Sequence, residues 1–492
     1  MTCQFIKNDD YRKSFSLTLA FFLMYLFPII LIGRYYIDDM GRSIYGYAGW
    51  GQDGRPLADL IMRVFSIGEP IIDLSPLNQF VSIVLLAASV TLYVYKNATI
   101  KNWFATGIIS SLFICSPFII ENLSYKFDSL TMLLSAAILF IPFCLEKTTT
   151  TSYVASVTAI ICSLSLYQAA IGIFAILTVI DVVLKSDKSA KEDLINILTR
   201  VSQLVVGYIA YTYLISKISD IGSYGNSHAK LITSSDHIKD SLIFNINQIA
   251  IIFKQAINPY PAIILSAIAL LMAYCIVCEC CRAIRSHGSV NILKISVIVI
   301  SPTLVVIFSF IHLLALEKPV LAPRVFISTG CVLIFIGVLL HRNLSNRLSA
   351  VITLLALLFG LVNVFGYSNV SKAQYKLDSI YSSSIRENVS AHNHIFKVAV
   401  ITGTMPVARQ RDSLGVNFPL LARMVPVYMN ADWAWGARLL DMNGLQVNYS
   451  VFSEDDAKLI CNSIPFYKST DYELFDAGER LIIRFKSNGH KC

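Results

Sequence analysis

The chain has 492 residues, of which 55% are hydrophobic and 15% charged, with a formal net charge of +8. A soluble domain carries about a quarter charged residues, so this composition excludes a single soluble core. It also changes what the positive charge means: in a membrane protein Lys and Arg report topology, and a nucleic-acid footprint is not read from them.

In chain order, apolar runs long enough to span or nearly span a bilayer fall at about 14–33, 77–95, 103–120, 129–145, 152–167, 169–184, 201–217, 260–281, 292–314, 325–341 and 348–366. That is eleven expected spans. The first, Ser14 to Gly33, has no small-residue cleavage site after it, so it reads as a span and not as a cleaved signal. The fifth and sixth come from one apolar stretch, 152–184. A single helix of that length would be about 50 Å long against a hydrocarbon core of about 30 Å. Two short helices meeting at Tyr167-Gln168 fit better. Lys7, Arg12, Lys13, Lys96, Lys101, Lys147, Lys185, Lys188, Lys191, Arg200, Arg282, Arg285, Lys294, Arg342 and Arg347 fall on one side of this arrangement. The positive-inside rule makes that side cytoplasmic. The other side receives 34–76, 121–128, the Tyr167 turn, 218–259, 315–324 and the tail.

From Gly366 the long apolar runs stop. FKVAVITGT reads as a strand ending in a turn, SEDDAKLICNSI as a helix capped by Ser453, and YELFDAGERLIIRFK as two strands around an Asp-Ala-Gly turn. The expected organisation is therefore a transmembrane domain, 1–370, followed by a small α/β domain, 385–492, on the non-cytoplasmic side. Of the eleven cysteines, Cys461 and Cys492 are the pair within this tail and are disulfide candidates. The run CIVCECC, Cys275 to Cys281, has no His/Cys partner pair at zinc spacing and is read as a helix end.

The non-cytoplasmic loops hold the polar residues of interest. In 34–76, Leu57, Leu60, Ile61, Val64 and Phe65 recur at helical spacing, as expected of an amphipathic helix in the membrane interface; 237–261 is a second such candidate. The same loop begins GRYYIDDMGRSIYGYAGWGQDGRPL, with Asp38 and Asp39 directly after an apolar run. Acids there face the negative end of a helix dipole and lipid phosphates. Glu121, Lys126 and Asp128 lie in ENLSYKFD, and Glu317, Lys318 and Arg324 in ALEKPVLAPRVF. Such a face suits a substrate with a lipid tail and a charged head. The plain readings stand beside this one. Asp38 and Asp39 can be solvated loop residues, Glu121 a loop charge and Asp128 a helix cap. Lys126 and Arg324 can be snorkelling anchors. Gln168 can satisfy backbone freed at a helix break, and Tyr45, Tyr47 and Trp50 can be belt aromatics.

If the donor is a sugar on a polyprenyl phosphate, the phosphate leaves as a stable anion and no general acid is needed. The acceptor hydroxyl needs one base. Sequence neighbours point in different directions and cannot flank one bond, so one of Asp38 and Asp39 would meet the acceptor and the other orient it. The leaving phosphate calls for cations, best a bidentate Arg. Arg324 is the first choice, then Arg42, Arg55 and Lys126.

In its layout the chain resembles the class C membrane glycosyltransferases, and more closely glucosyl transferase family II, the serotype-converting O-antigen glucosyltransferases of phages and bacterial glucosylation operons. The resemblance rests on DDMGRSIYGYAGWGQDGRPL at 38–57, ENLSYKFD at 121–128, SLYQ at 165–168 and APRVF at 322–326. It implies an α-helical polytopic membrane protein of the bacterial inner membrane. It implies transfer of glucose from undecaprenyl-phosphate glucose to an O-antigen repeat unit of lipopolysaccharide in the periplasm. Its partners would be a flippase and an enzyme that loads glucose onto the lipid. The reading is then an inverting transferase with Asp38 as base and Asp39 assisting, and with Glu121, Asp128, Tyr167, Gln168 and Trp50 as substrate-binding candidates. No nucleic acid or cofactor is called for and no metal is required, although some class C relatives use a divalent metal and the paired Asp38 and Asp39 could hold one. An O-antigen polymerase or ligase, and a polyprenyl-lipid flippase or transporter, are the alternatives. A transporter should hide ionisable residues within its spans, whereas the acids here cluster in loops.

Overall fold

The computed structural model describes residues 8–98, 100, 102–145, 150–185, 189–232, 235–287, 292–431, 433–490 and 492. Lys7, Lys101, Lys147 and Lys188, four of the cations used for orientation above, lie outside these. The chain forms two compact units: Met1–Ile29 with Ala48–Val364, and Ile30–Tyr47 with Phe365–Cys492.

The first unit is helical. Among the described residues six helices are long and apolar enough to cross a membrane: Asp9–Ile30, Leu77–Asn97, Lys191–Ile218, Ala262–Ser286, Pro323–Asn343 and Asn346–His392, the last running on into the second unit. The other five expected positions carry shorter apolar helices, Trp103–Cys115, Ser129–Phe143, Thr150–Leu166, Gln168–Leu184 and Ile292–Phe308. The break in 152–184 falls where expected, with Tyr167 extended (φ −162°, ψ 104°) between two helical segments.

Small residues let the inner helices approach closely. A Cβ on Gly330 would lie 2.6 Å from the Phe113 carbonyl oxygen, and one on Gly337 would lie 2.5 Å from Leu112 Cδ1. The helix that carries both glycines is correspondingly the most buried of the six, at 78% of its apolar window against 22% for Ala262–Ser286. The outer helices instead show Ile263, Leu270, Val277 and Tyr274 to the surroundings, an apolar surface that lipid would cover. Inside, hydroxyls return to their own helix: Thr18 donates to the Ser14 carbonyl and Ser110 to the Thr106 carbonyl.

Several buried charges in this unit are paired. Lys294 meets Asp193 at 2.9 Å, and Glu279, in the cysteine-rich run, takes Arg282, Arg342 and Asn343. Asp181 takes Asn196 and Lys185. Among the described residues no group of three or more His, Cys, Asp or Glu side chains could hold a metal.

Both expected amphipathic helices form. Pro56–Phe65 buries Ala58 and Met62 and leaves Leu60 and Val64 exposed. Ser235–Ile257 buries Asn245, Ile249 and Ile252, with Phe244 and Ile246 exposed.

The second unit is an α/β fold around a five-stranded sheet. Its strands are β1 Val398–Thr402, β2 Asn448–Tyr449, β3 Tyr467–Lys468, β4 Tyr472–Ala477 and β5 Arg480–Phe485, in the order β2-β1-β5-β4-β3. β1 is parallel to β2 and β5, while β4 is antiparallel to β5 and to β3. The hairpin, the strand ending at Gly403 (φ 80°) and the Ser453 cap are as the sequence suggests. Ser453 and Asp456 form a reciprocal capping box. Cys461 and Cys492 are joined in a disulfide.

Two features of this unit differ from the expectation. The helix begun at Asn346 does not stop near 366 but continues to His392. Val364, Tyr367, Ser371, Gln374, Asp378, Ser382, Ile385 and Val389 form its buried stripe. The spacing is regular, but the middle of the stripe is polar, so hydropathy alone ends it early. The second difference is that Ile30–Tyr47 belongs to this unit: Met40 is fully buried in its core with Ile385, Tyr428 and Ile483.

Candidate functional site

Asp38 and Asp39 open a short helix, Asp38–Tyr45. They therefore stand at its N-terminal end, where backbone N–H groups and the helix dipole favour negative charge. The two carboxylates differ in environment. Asp39 is fully buried and accepts the Tyr36 N–H at 3.3 Å, whereas Asp38 is half-exposed. Arg42, one turn on, is buried with its guanidinium 5.8 Å from the Tyr47 ring centre.

The loop before this helix is held by six contacts of three side chains, Arg34, Tyr36 and Tyr428. Arg34 pairs with Asp378 at 2.6 Å, donates to the Pro426 carbonyl and lies over the Tyr428 ring at 4.2 Å. Tyr36 donates its hydroxyl to the Met424 carbonyl. Tyr428, buried, donates its hydroxyl to the Tyr35 carbonyl at 2.7 Å and accepts the Ile37 N–H at 3.1 Å. Burial pushes the Tyr428 phenol up from its ordinary value, against the pull of the Arg34 guanidinium, so it stays a neutral donor.

The first unit gathers most of the other candidates into one ionic cluster. Asp128 stands directly before the helix Ser129–Phe140 but does not cap it. Its carboxylate accepts the Trp50 indole N–H at 2.7 Å and a donor of Arg55 at 3.2 Å. Arg55 also donates to the Leu166 carbonyl and to Thr131, and its guanidinium lies 5.2 Å from the Tyr167 ring centre. Glu121, placed by the helix Ile119–Ser124, pairs with Arg324 at 2.8 Å and accepts the Arg324 backbone N–H at 2.7 Å. The turn Pro323–Phe326 presents Arg324, whose guanidinium also lies 5.4 Å from the Tyr125 ring centre. Gln168 donates to the Asp53 carbonyl and to Tyr211, so it ties the 34–76 loop down and does not serve the break beside it.

Trp50 is fully buried, neither at a belt nor on a surface platform. Glu121 is buried too, so it is not a solvated loop charge. Lys126 pairs with Asp73 at 3.6 Å. Thus Trp50, Arg55, Glu121, Asp128, Tyr167, Gln168 and Arg324 belong to the first unit with Lys126, and Asp38, Asp39 and Arg42 to the second. Tyr125, Tyr428 and Asp378 were not anticipated. Each lies within a run whose local pattern reads only as helix or loop, and no residue-spacing signal marks them.

The sequence matches, over residues 27–335, the family described as glucosyl transferase GtrII. It is also similar to a Salmonella phage P22 protein named "Uncharacterized 55.3 kDa protein in gtrB 5'region". The two are 28% identical over 487 residues, 97% of this chain and 99% of that protein. No solved structure matches.

Proposed function

The chain belongs to the GtrII glucosyl transferase family, and from that premise we propose that it moves glucose from undecaprenyl-phosphate glucose to an O-antigen repeat unit of lipopolysaccharide, on the periplasmic face of the inner membrane. The observation that carries the reading is the family match itself, because 27–335 includes the acid pair and every member of the ionic cluster. The membrane-crossing helices and the apolar faces of Pro56–Phe65 and Ser235–Ile257 suit a lipid-borne donor. A flippase and a glucose-loading transferase are the partners such a donor requires, since glucose must reach the lipid and then cross the membrane.

In this reading Asp38 takes the proton of the acceptor hydroxyl as that oxygen bonds to glucose C1. The bond from C1 to the phosphate oxygen breaks on the opposite face, and the lipid phosphate leaves as an anion. One displacement inverts C1. What supports Asp38 over Asp39 as base is exposure: Asp38 is half-exposed, while buried Asp39 is engaged with the turn that it follows. Arg324, at the entry to a spanning helix, is assigned to the donor phosphate, with Arg55, Arg42 and Lys126 as further cations.

The test is glucose incorporation into lipopolysaccharide, read by mass spectrometry in cells that carry the donor-forming partners. Wild-type chain adds glucose. Both Arg324→Ala and Arg324→Lys lose roughly 10- to 100-fold, the worth of a charge-assisted hydrogen bond, because Lys lacks the planar fork. A Lys variant at full rate removes the phosphate assignment, and a wild-type chain that adds no hexose removes the function.

Orientation is checked separately. The cationic loops put Met1 in the cytoplasm and 385–492 in the periplasm. Alkaline phosphatase fused behind Cys492 is then active. Activity of a cytoplasm-only reporter at that position would reverse the assignment.

A further inference from the structure

Ile37, the residue directly before Asp38, has φ 46° and ψ −105°. For a β-branched residue this is a costly conformation, which persists only where the surroundings over-determine it. Here the contact to Ile37 itself comes from the Tyr428 side chain. The Tyr428 hydroxyl sits between the Tyr35 carbonyl and the Ile37 N–H, bonding both. On one side Arg34 stacks on the same ring and is itself fixed by Asp378 and Pro426. On the other, Met40 is locked in the core. The start of the helix Asp38–Tyr45 is therefore set at a strained residue by a buried phenol nearly 400 positions away in sequence.

We propose that Tyr428 is a positioning residue for glucose transfer: its hydroxyl holds Ile37 in the strained conformation, which fixes the first turn of Asp38–Tyr45 and so aims the Asp38 carboxylate at the acceptor. This rests on Asp38 being the base. Arg34 is the second support of the same loop. The C-terminal unit thereby acts in the chemical step and is more than an appendage to it. Without the hydroxyl, the half-buried Ile37 N–H has lost its acceptor and the residue relaxes toward an ordinary φ. The carboxylate then moves, and misplacement of a reacting group by about 1 Å can cost about 10²-fold.

The test uses full-length protein in lipid vesicles, with glucose on polyprenyl phosphate as donor and O-antigen glycan as acceptor, and turnover counted per monodisperse, folded molecule. Tyr428→Phe is expected to lower kcat roughly 10- to 100-fold with both KM values within about twofold. Arg34→Lys keeps a charge toward Asp378 but not the planar reach to Pro426, and gives a smaller loss, again in kcat. Tyr472→Phe deletes another buried hydroxyl of this unit, one bonded to Ser384, and leaves kcat unchanged. In an Asp38→Asn background, Tyr428→Phe adds no further loss, because it acts through Asp38.

Full turnover in Tyr428→Phe while Asp38→Asn is inactive would overturn the inference and leave the base assignment standing. An equal loss in the Asp38→Asn background would show that the hydroxyl acts elsewhere. Full turnover in Asp38→Asn would remove the base, and the positioning role with it.

Discussion

Asp38→Asn lowers glucose transfer by about 10²–10⁴-fold, the worth of a general base, while the protein inserts and folds normally. Asn keeps the shape of Asp but not its basic oxygen. Asp38 is half-exposed at the start of its helix, so the substitution costs little in packing; the loss should appear in turnover and not in yield. Asp39→Asn is also severe, for a different reason. Its carboxylate is fully buried and accepts the Tyr36 N–H, so the loss includes a disturbed turn. Added divalent metal or chelator leaves both deficits unchanged if the acids act as base and orienter. The measurement is hexose on lipopolysaccharide at matched membrane protein levels. If both single variants transfer at the wild-type rate, the pair is only a helix start, and Glu121 or Asp128 becomes the next candidate base.

Asp128→Asn has the largest expected effect on stability. Asn retains an oxygen for the Trp50 indole but removes the charge facing Arg55, whose side chain is 10% exposed. Removing one partner of a buried ion pair costs about 3–5 kcal/mol, because the other is left uncompensated. Arg55 keeps its bonds to Leu166 and Thr131, which places the expectation at the lower end of that range. Thermal unfolding of detergent-solubilised protein should show it as a lowered midpoint. Arg55→Met in the same background should recover much of the loss, since an apolar replacement for both partners is often near neutral. An unchanged midpoint in the single variant would mean that water reaches this pair, and that the cluster is a solvated cleft.

Much of the architecture was legible because its signals are local. Six of the eleven expected spans coincide with described helices long and apolar enough to cross a membrane, and the other five with shorter apolar helices. The break at Tyr167 followed from the arithmetic of helix rise, and the Ser453 cap from the acids that come directly after it. The β4–β5 hairpin announced itself by an Asp-Ala-Gly turn between two apolar runs. The helix Asn346–His392 outruns its hydropathy signal because its stripe of Ser371, Gln374, Asp378 and Ser382 is polar, and such side chains are tolerated inside only when partners from elsewhere meet them. Gln374 shows this: it donates to Asp378 and accepts the Ala408 N–H.

By itself, then, the sequence determined a membrane protein with a small α/β tail, the acid pair at the end of its first span, and the residue types a phosphate-leaving transfer would need. Hydropathy, helix rise, caps and turns are properties of a few neighbouring residues, and they survive without any knowledge of the fold. Tertiary structure alone decided which charges meet. Arg55 finds Asp128 across 73 positions, Arg324 finds Glu121 across 203, and Arg34 finds Asp378 across 344. It also decided that Ile30–Tyr47 leaves the first span to join the C-terminal unit, where Tyr428 pins the residue before Asp38. The physical reason is that a buried charge or phenol is stable only beside its partner, and which partner that is depends on how distant segments pack.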